Sequence, residues 1–417
     1  MKLKLIFFCV VLSFKPAVHE AQPRVVSMDE AIQFALKNNL GLQSTALEVD
    51  VEMQRKKAST EIPKTEVMLM VGQINSVLTD NNVQILQTIP FPTVFTSQSK
   101  LGELRVQSSK YKKAASENEL VFQVKQVYLN LLYLQSQQNL LHRLDSLFST
   151  LVEHAALRYK TGEATLLQKT GVETQYKEVQ NLLHENASDQ LTNSNQLRIL
   201  MGEQQDVIAA YQALQPLTTT LFDDIDQITN NPQLEYRRSL TSVAFQEKRV
   251  EANNALPDLS FGYFNQNLPG YKQQTDGTNP YFSPGYRFNG FMVGISVPIW
   301  FAPNSARIKS STLRATSTRL NTDYYEKQLS GEWQKAVQQF HKQQRSLDYY
   351  KQSALPNAEL ILHQSQKSYD AGEIGQADYR LNLQQVLSIE ENYLETLLQY
   401  NYCIITLEFL SGKYSPN

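Results

Sequence analysis

The chain has 417 residues, with 39 Lys and Arg against 41 Asp and Glu, a formal charge of -2 and a pI near 6.3. That balance excludes both a basic field for nucleic acid and the acidic excess of a disordered chain. Two cysteines, one of them in the apolar leader, leave no disulfide framework, and six histidines without an HxxxH pair argue against a metal site or bound cofactor.

Met1, Lys2, Leu3 and Lys4 precede an apolar run from Leu5 to Phe14. The run is too short for a mature membrane helix and reads as a secretory signal, residues 1–21, with Ala21 at the cleavage position and the mature start near Gln22. His19 fits the cleavage site poorly. Cys9 lies inside the apolar run and is followed by Val10, so it is not read as a lipid-bearing cysteine. No later stretch approaches the ~20 apolar residues of a membrane helix, so any membrane crossing must use strands.

After the leader an amphipathic helix is expected near Met28 to Asn39. Two strands follow at about 66–75 and 82–89, the alternation of the first weakened by Met68, Leu69 and Met70. A long helix over about 96–159 comes next. Val124, Val127, Leu131, Leu134, Leu141, Leu144, Phe148, Leu151 and Ala155 recur with three-then-four spacing, a heptad seam broken only at Gln138. At ~1.5 Å per residue that helix is roughly 96 Å long, about three times a ~30 Å hydrocarbon core, and must enter an aqueous compartment. A return helix is expected over about 166–201, closing a first unit of 22–202, and a linker over 203–231.

The second unit, 232–417, repeats the plan. Strands are expected at about 258–267 and 288–299, a long helix at 304–369 and a return helix at 376–411. Its seam is Trp333, Val337, Phe340, Leu347, Ala354, Ala358 and Ile361, with Pro356 expected to kink or interrupt the rod. Aligning the units pairs Asn38, Asn39 and Leu42 with Asn230, Asn231 and Leu234, and Ile89-Pro90-Phe91 with Val297-Pro298-Ile299. It also pairs Tyr159, Gly162 and Glu163 with Tyr369, Gly372 and Glu373, and Leu197 to Gly202 with Leu407 to Gly412. The extra length of the second unit falls in a turn-rich loop between Asn267 and Phe288.

Phe291, Val293, Ile295, Val297 and Ile299 alternate with small or polar residues, as do Leu259, Phe261 and Tyr263, giving one greasy face. Four strands cannot close a membrane barrel, so chains must pool them; two chains would supply eight and three would supply twelve. Phe261, Tyr263, Phe264, Tyr271, Tyr281, Phe282, Tyr286 and Phe288 read as an interfacial girdle, or as core aromatics of a soluble sheet.

The paired Tyr-x-x-Gly-Glu turns, the two strand exits at Pro90 and Pro298, and the Met201-Gly202 and Ser411-Gly412 helix ends together resemble the TolC-like outer-membrane efflux family, over essentially the whole mature chain. That resemblance implies a mainly α fold with a small β part. Three chains would form a 12-stranded outer-membrane barrel continuous with a periplasmic α-helical barrel, and Met28 to Asn39, the linker and the C-terminal tail would form a belt between them. It further implies a passive duct, not an enzyme, in a tripartite system with a periplasmic adaptor (membrane fusion) protein and an inner-membrane pump of the RND type. The residues Gln87 to Phe95 also look like members serving copper-silver or cobalt-zinc-cadmium pumps.

The resemblance puts the periplasmic gate at the two turns. Asp378 resembles a gate carboxylate, and Gln168 stands at the equivalent place in the first unit; the plainer alternative for Asp378 is a solvated charge at a helix start. Glu163 and Glu373 are expected to contact the adaptor or cap the return helices. Tyr159 and Tyr369 are expected to hydrogen-bond across the tip or pack there, and Gly162 and Gly372 to end the long helices. A competing reading from another class is a soluble periplasmic coiled-coil adaptor or scaffold, which needs no barrel.

Overall fold

The computed structural model describes residues 23–218 and 225–413. The expected signal 1–21 with its Cys9, the start at Gln22 and part of the 203–231 linker lie outside the described residues.

Strand β1 (Arg24–Val26) leads into helix α1 (Met28–Asn38), opened by a capping box in which Ser27 accepts from the Glu30 amide and Glu30 accepts from the Ser27 amide. Asn39 ends α1 and caps α2 (Leu40–Ala58). Strands β2 (Glu66–Gly72) and β3 (Asp80–Ile89) form a hairpin. The tip of that hairpin is tied by the Asp80 carboxylate, which accepts from the Ile74 and Asn75 amides at 3.2 and 2.5 Å. Helix α3 (Pro92–Lys160) runs 69 residues, roughly 104 Å, with Pro92 preset in its first turn. Helix α4 (Leu166–Met201) returns beside it to β4 (Val207–Ala209), which pairs in parallel with β1.

A 3₁₀ turn (Ile225–Asn230) precedes α5 (Pro232–Asn253) and β5 (Asp258–Asn267). The turn-rich insertion carries a small hairpin, β6 (Gly270–Tyr271) with β7 (Tyr281–Phe282), before β8 (Arg287–Ser296). Helix α6 (Phe301–Tyr349) continues through a π turn (Tyr350–Ala354) into α7 (Leu355–Asp370), and α8 (Gln376–Ser411) returns. The interruption expected at Pro356 is that π turn, which lies just before it. A proline lacks the N–H for the regular ladder, and the wider turn keeps the rod continuous.

All nine positions of the first seam, Val124 to Ala155, are buried. In the second, Trp333, Phe340, Leu347, Ala354 and Ala358 are buried, while Val337 is partly buried against the same core. One cluster joins α1, the middle of α3, the ends of α4 and α8, and the β1–β4 pair; a second joins α3, α4, α7 and α8 near the turns.

The two return helices end in the same way. Gly202 and Gly412 have φ of 68° and 70°, and Glu203 and Lys413 amides reach back to the Arg198 and Glu408 carbonyls, both at 3.1 Å. Beside each sits an Asn that caps the next rod: Asn39 accepts from the Leu42 amide and donates to Leu200, and Asn231 accepts from the Leu234 amide and donates to Leu410. A Cβ on Gly202 would meet the Asn38 carbonyl oxygen at 2.5 Å. Gly202→Ala is therefore expected to destabilise the chain by at least ~1–2 kcal/mol, the cost of a left-handed backbone before the clash is added. Urea unfolding followed by helical circular dichroism measures it, and an unshifted midpoint would contradict this account of the helix end.

The main sheet is antiparallel in the order β2-β3-β5-β8, with the outward edges of β2 and β8 unpaired among the described residues. It is open, and no closed sheet forms within the described residues. Its register sorts the side chains into two faces. Val67, Leu69, Val71, Val83, Ile85, Leu259, Phe261, Tyr263, Phe291, Val293 and Ile295 share one face, with Tyr263 against Phe291 at 5.7 Å between ring centroids. Met68 and Met70 fall on the opposite face, which accounts for the weak alternation there.

The expected aromatic girdle is split by this register. Phe261 and Tyr263 lie on the apolar face, but Phe264 covers Gly290 on the other, and Phe288 there gathers Phe282 and Tyr286 within 5.2 Å. Trp300 and Phe301, at the junction of β8 with α6, are 79% and 70% exposed, an aromatic pair that the sequence reading did not single out.

Candidate functional site

Two features carry functional geometry: the paired turns at one end of the rods and the two faces of the sheet at the other.

The first turn follows α3. The Gly162 amide bonds the Tyr159 carbonyl at 3.2 Å and the Glu163 amide bonds Arg158 at 2.8 Å; Gly162 has φ of 81°. In the second, the Gly372 amide bonds Tyr369 at 3.0 Å and the Glu373 amide bonds Ser368 at 2.8 Å, with φ of 77° at Gly372. Both are Schellman closures, satisfying the last helical carbonyls within five residues.

The glutamates do not cap the return helices. Glu163 lies 3.8 Å from Arg158 on its own rod, and Glu373 accepts from the Ser368 hydroxyl at 2.9 Å. Helix α4 is capped by Thr165, whose hydroxyl accepts from the Gln168 amide at 3.2 Å while the Gln168 carboxamide accepts from the Thr165 amide at 2.8 Å. That capping box is written in the sequence as Thr165-x-x-Gln168 and gives Gln168 a local task. Helix α8 starts instead at Gly375, which offers no side-chain cap. Asp378, three residues on, is exposed and makes no hydrogen bond or ion pair within the described chain. Its charge lies in the first turn of α8, where the helix dipole favours an anion.

The tyrosines pack locally. Tyr159 is 41% exposed, with the Lys169 ammonium 5.6 Å from its ring centroid. Tyr369 stacks on Tyr379 at 4.7 Å and 8° between planes. Tyr379, which the sequence reading passed over, is 2% exposed and donates its hydroxyl to the Gln366 carboxamide. Burial pushes its phenol above the ordinary range, and the Asp370 carboxylate adds to the shift. Val172 of the first return helix and Tyr379 and Leu383 of the second share one core, so both turns sit at the same end of the molecule. A cleft of about 300 Å³ separates them, lined by Gln168, Gly171, Gln376 and Arg380 among others.

A little further along, Arg143 of α3 pairs with Glu390 of α8. Burial lifts Glu390 above the usual carboxylate range, against the pull of the Arg143 guanidinium. No group of three His, Cys, Asp or Glu among the described residues could hold a metal ion, and no helix among them is long and apolar enough to cross a membrane.

At the other end, the second face of the sheet carries Glu66, Asp80 and Asp258 and no Lys, Arg or His. Its large side chains lie flat: Met292 and Leu86 approach Gly262, and Phe264 covers Gly290.

No protein-family profile matches the chain, and no curated protein matches it in sequence. Solved structures do. The CusC structure, described for its transmembrane channel formation, has a TM-score of 0.76 at 13% identity, covering 95% of each chain. The Campylobacter jejuni CmeC outer membrane channel gives 0.75 at 14%, covering 99% of this chain and 94% of that one. The Vibrio cholerae outer membrane protein VceC gives 0.74 at 14%, covering 92% and 96%. Over nearly its full length the chain therefore has the TolC-like fold of these outer-membrane channel structures.

Proposed function

We propose that this chain is the outer-membrane duct of a tripartite efflux system, a passive conduit for three-chain assembly. The observation that carries the reading is the sheet. Four strands with an apolar face and two unpaired edges cannot seal themselves in lipid, where each orphaned backbone group costs several kcal/mol, and three copies would complete a 12-stranded barrel. The rods, roughly 104 Å each, would then continue as a helical barrel through the periplasm toward an adaptor protein and an inner-membrane pump. The matched helix ends at Gly202 and Gly412 support descent of the chain from a duplicated unit.

With the apolar face in lipid, the opposite face lines the pore. Glu66, Asp80 and Asp258, with no cation among them, favour passage of positive cargo, which supports metal cations as one substrate class. Native mass spectrometry in detergent tests the assembly, and planar-bilayer conductance tests the pore. A trimer that conducts is expected; a monomer recovered from soluble periplasm without detergent would favour the adaptor or scaffold reading.

At the periplasmic tip, three copies of Asp378 would gather near the symmetry axis as a ring of uncompensated charge, with Tyr369 and Tyr379 holding the turn behind them. Asp378→Asn combined with Tyr369→Ala is expected to raise single-channel conductance severalfold and weaken cation preference. Unchanged conductance and selectivity would remove Asp378 from the gate.

A further inference from the structure

The apolar face has two unlike ends. At the helical end Trp300 and Phe301 stand exposed at the junction of β8 with α6. Strand β8 itself, Arg287–Ser296, has ten residues, within the ~9–11 a tilted membrane strand takes, and its apolar side chains on this face are Phe291, Val293 and Ile295. Beyond Phe291 the same face turns polar on β5 and β8: Asn289 stands opposite Asn265, with Val83 completing that row, and Arg287 stands opposite Asn267, whose carboxamide oxygen accepts from the Asn81 amide at 2.6 Å. Arg287 stands four residues past Phe291, ~13 Å along the strand, at the level of lipid headgroups.

Arg287 is held in place without being neutralised. Its Nε donates to the Asn265 carboxamide oxygen and its Nη1 to that of Asn81, while Nη2 reaches the Asn265 carbonyl at 3.5 Å. These contacts fix the guanidinium plane and leave one hydrogen on each Nη without a partner in the described chain. No carboxylate pairs with it there. Asp80 points to the opposite face and spends its oxygens on the Ile74 and Asn75 amides, and Asp276 accepts from Thr278. A rigid, exposed cation at the edge of a lipid-facing surface, supported by neutral carboxamides, suits a planar fork recognising an oxyanion.

We infer that Arg287 is a docking point for the phosphate group of an anionic membrane lipid, one per chain, at the end of the barrel remote from the rods. This rests on the duct reading. On the outer surface such a lipid would sit with its acyl chains along Phe291, Val293 and Ile295 and its phosphate on the free Nη hydrogens. The neighbouring asparagines would serve sugar or glycerol hydroxyls.

The test uses the full assembly in phosphatidylcholine nanodiscs doped either with bisphosphorylated lipid A or with the same lipid stripped of phosphate. Lipids retained after release are counted by native mass spectrometry. The wild type is expected to hold the phosphorylated form about tenfold more strongly, the scale of a charge-assisted hydrogen bond. Arg287→Gln is expected to bring the ratio to about one, and Arg287→Lys to an intermediate value, since a lysine supplies charge without the fork. Equal retention of both lipids by the wild type would overturn the inference, and needs no variant to fold. So would an unchanged ratio in Arg287→Gln that still forms trimers and conducts. A chain that never enters bilayers sinks the duct reading and this site with it, whereas a conducting pore with equal retention sinks the site alone.

Discussion

Val293→Arg is expected to abolish stable insertion into lipid vesicles, while Gln84→Arg leaves insertion intact and turns the pore toward anions. The two positions lie on opposite faces of one sheet. Val293 is 77% exposed among Phe291 and Ile295, and an arginine on a lipid-facing strand near the midplane costs ~2–4 kcal/mol per chain, incurred three times in the proposed barrel. Gln84 shares its face with Glu66 and Asp80, where water would meet it, so a cation there changes the field and not the solvation of the wall. Protease protection of vesicle-refolded protein reads the first, and reversal potentials in asymmetric salt read the second. Equal effects of both substitutions on insertion would mean that the faces have been assigned wrongly.

Lys125→Met is expected to lower stability by about 3 kcal/mol, and Lys125→Met with Glu408→Leu to recover most of it. Lys125 on α3 meets Glu408 on α8 at 3.0 Å, with side chains only 10% and 9% exposed, so the pair ties the first rod to the last helix across the whole chain. Desolvation pulls the Lys125 pKa down, with Glu408 holding it up in part. Removing one partner strands a buried charge at ~3–5 kcal/mol, whereas removing both replaces the pair with packing. The low end applies because Lys413 also lies 3.5 Å from Glu408. Guanidinium titration of the two variants separates the cases. A double variant no more stable than the single would show that the ion pair itself, and not the orphaned carboxylate, dominates.

The rods were plain in the sequence because burial there follows a one-dimensional period: Val124, Val127 and Leu131 are spaced so that they can only lie on one stripe, and all three are buried. Gly162 and Gly372 were equally plain, since a helix stopped by a left-handed residue has few alternatives to glycine. The sheet was less legible. Alternation assigns a residue to a face, but cross-strand register decides which neighbours complete that face, and Phe264 and Phe288 parted from Phe261 and Tyr263 for that reason. Met68 and Met70 misled in the same way, their apolar character hiding that they belong opposite Leu69. At the turns, Gln168 drew attention as an Asp378 counterpart although Thr165-x-x-Gln168 already named its partner. Tyr379 escaped because a tyrosine in the first turn of a helix, the fourth residue of α8, is indistinguishable from any other until the stacked Tyr369 ring is seen.

The wide turn at Tyr350–Ala354 has a consequence for how such a chain tolerates change in length. The second rod, in parts of 49, 5 and 16 residues, is one residue longer than the first at 69. In a regular helix one surplus residue would rotate everything beyond it by ~100°, swinging Leu362 and Tyr369 out of the core they share with α8. A π turn stores the surplus locally and restores the phase. Single-residue insertions and deletions should therefore be absorbed near this point and be ruinous elsewhere along either rod, which makes it the natural seat for length variation in a structure otherwise locked to its angular repeat.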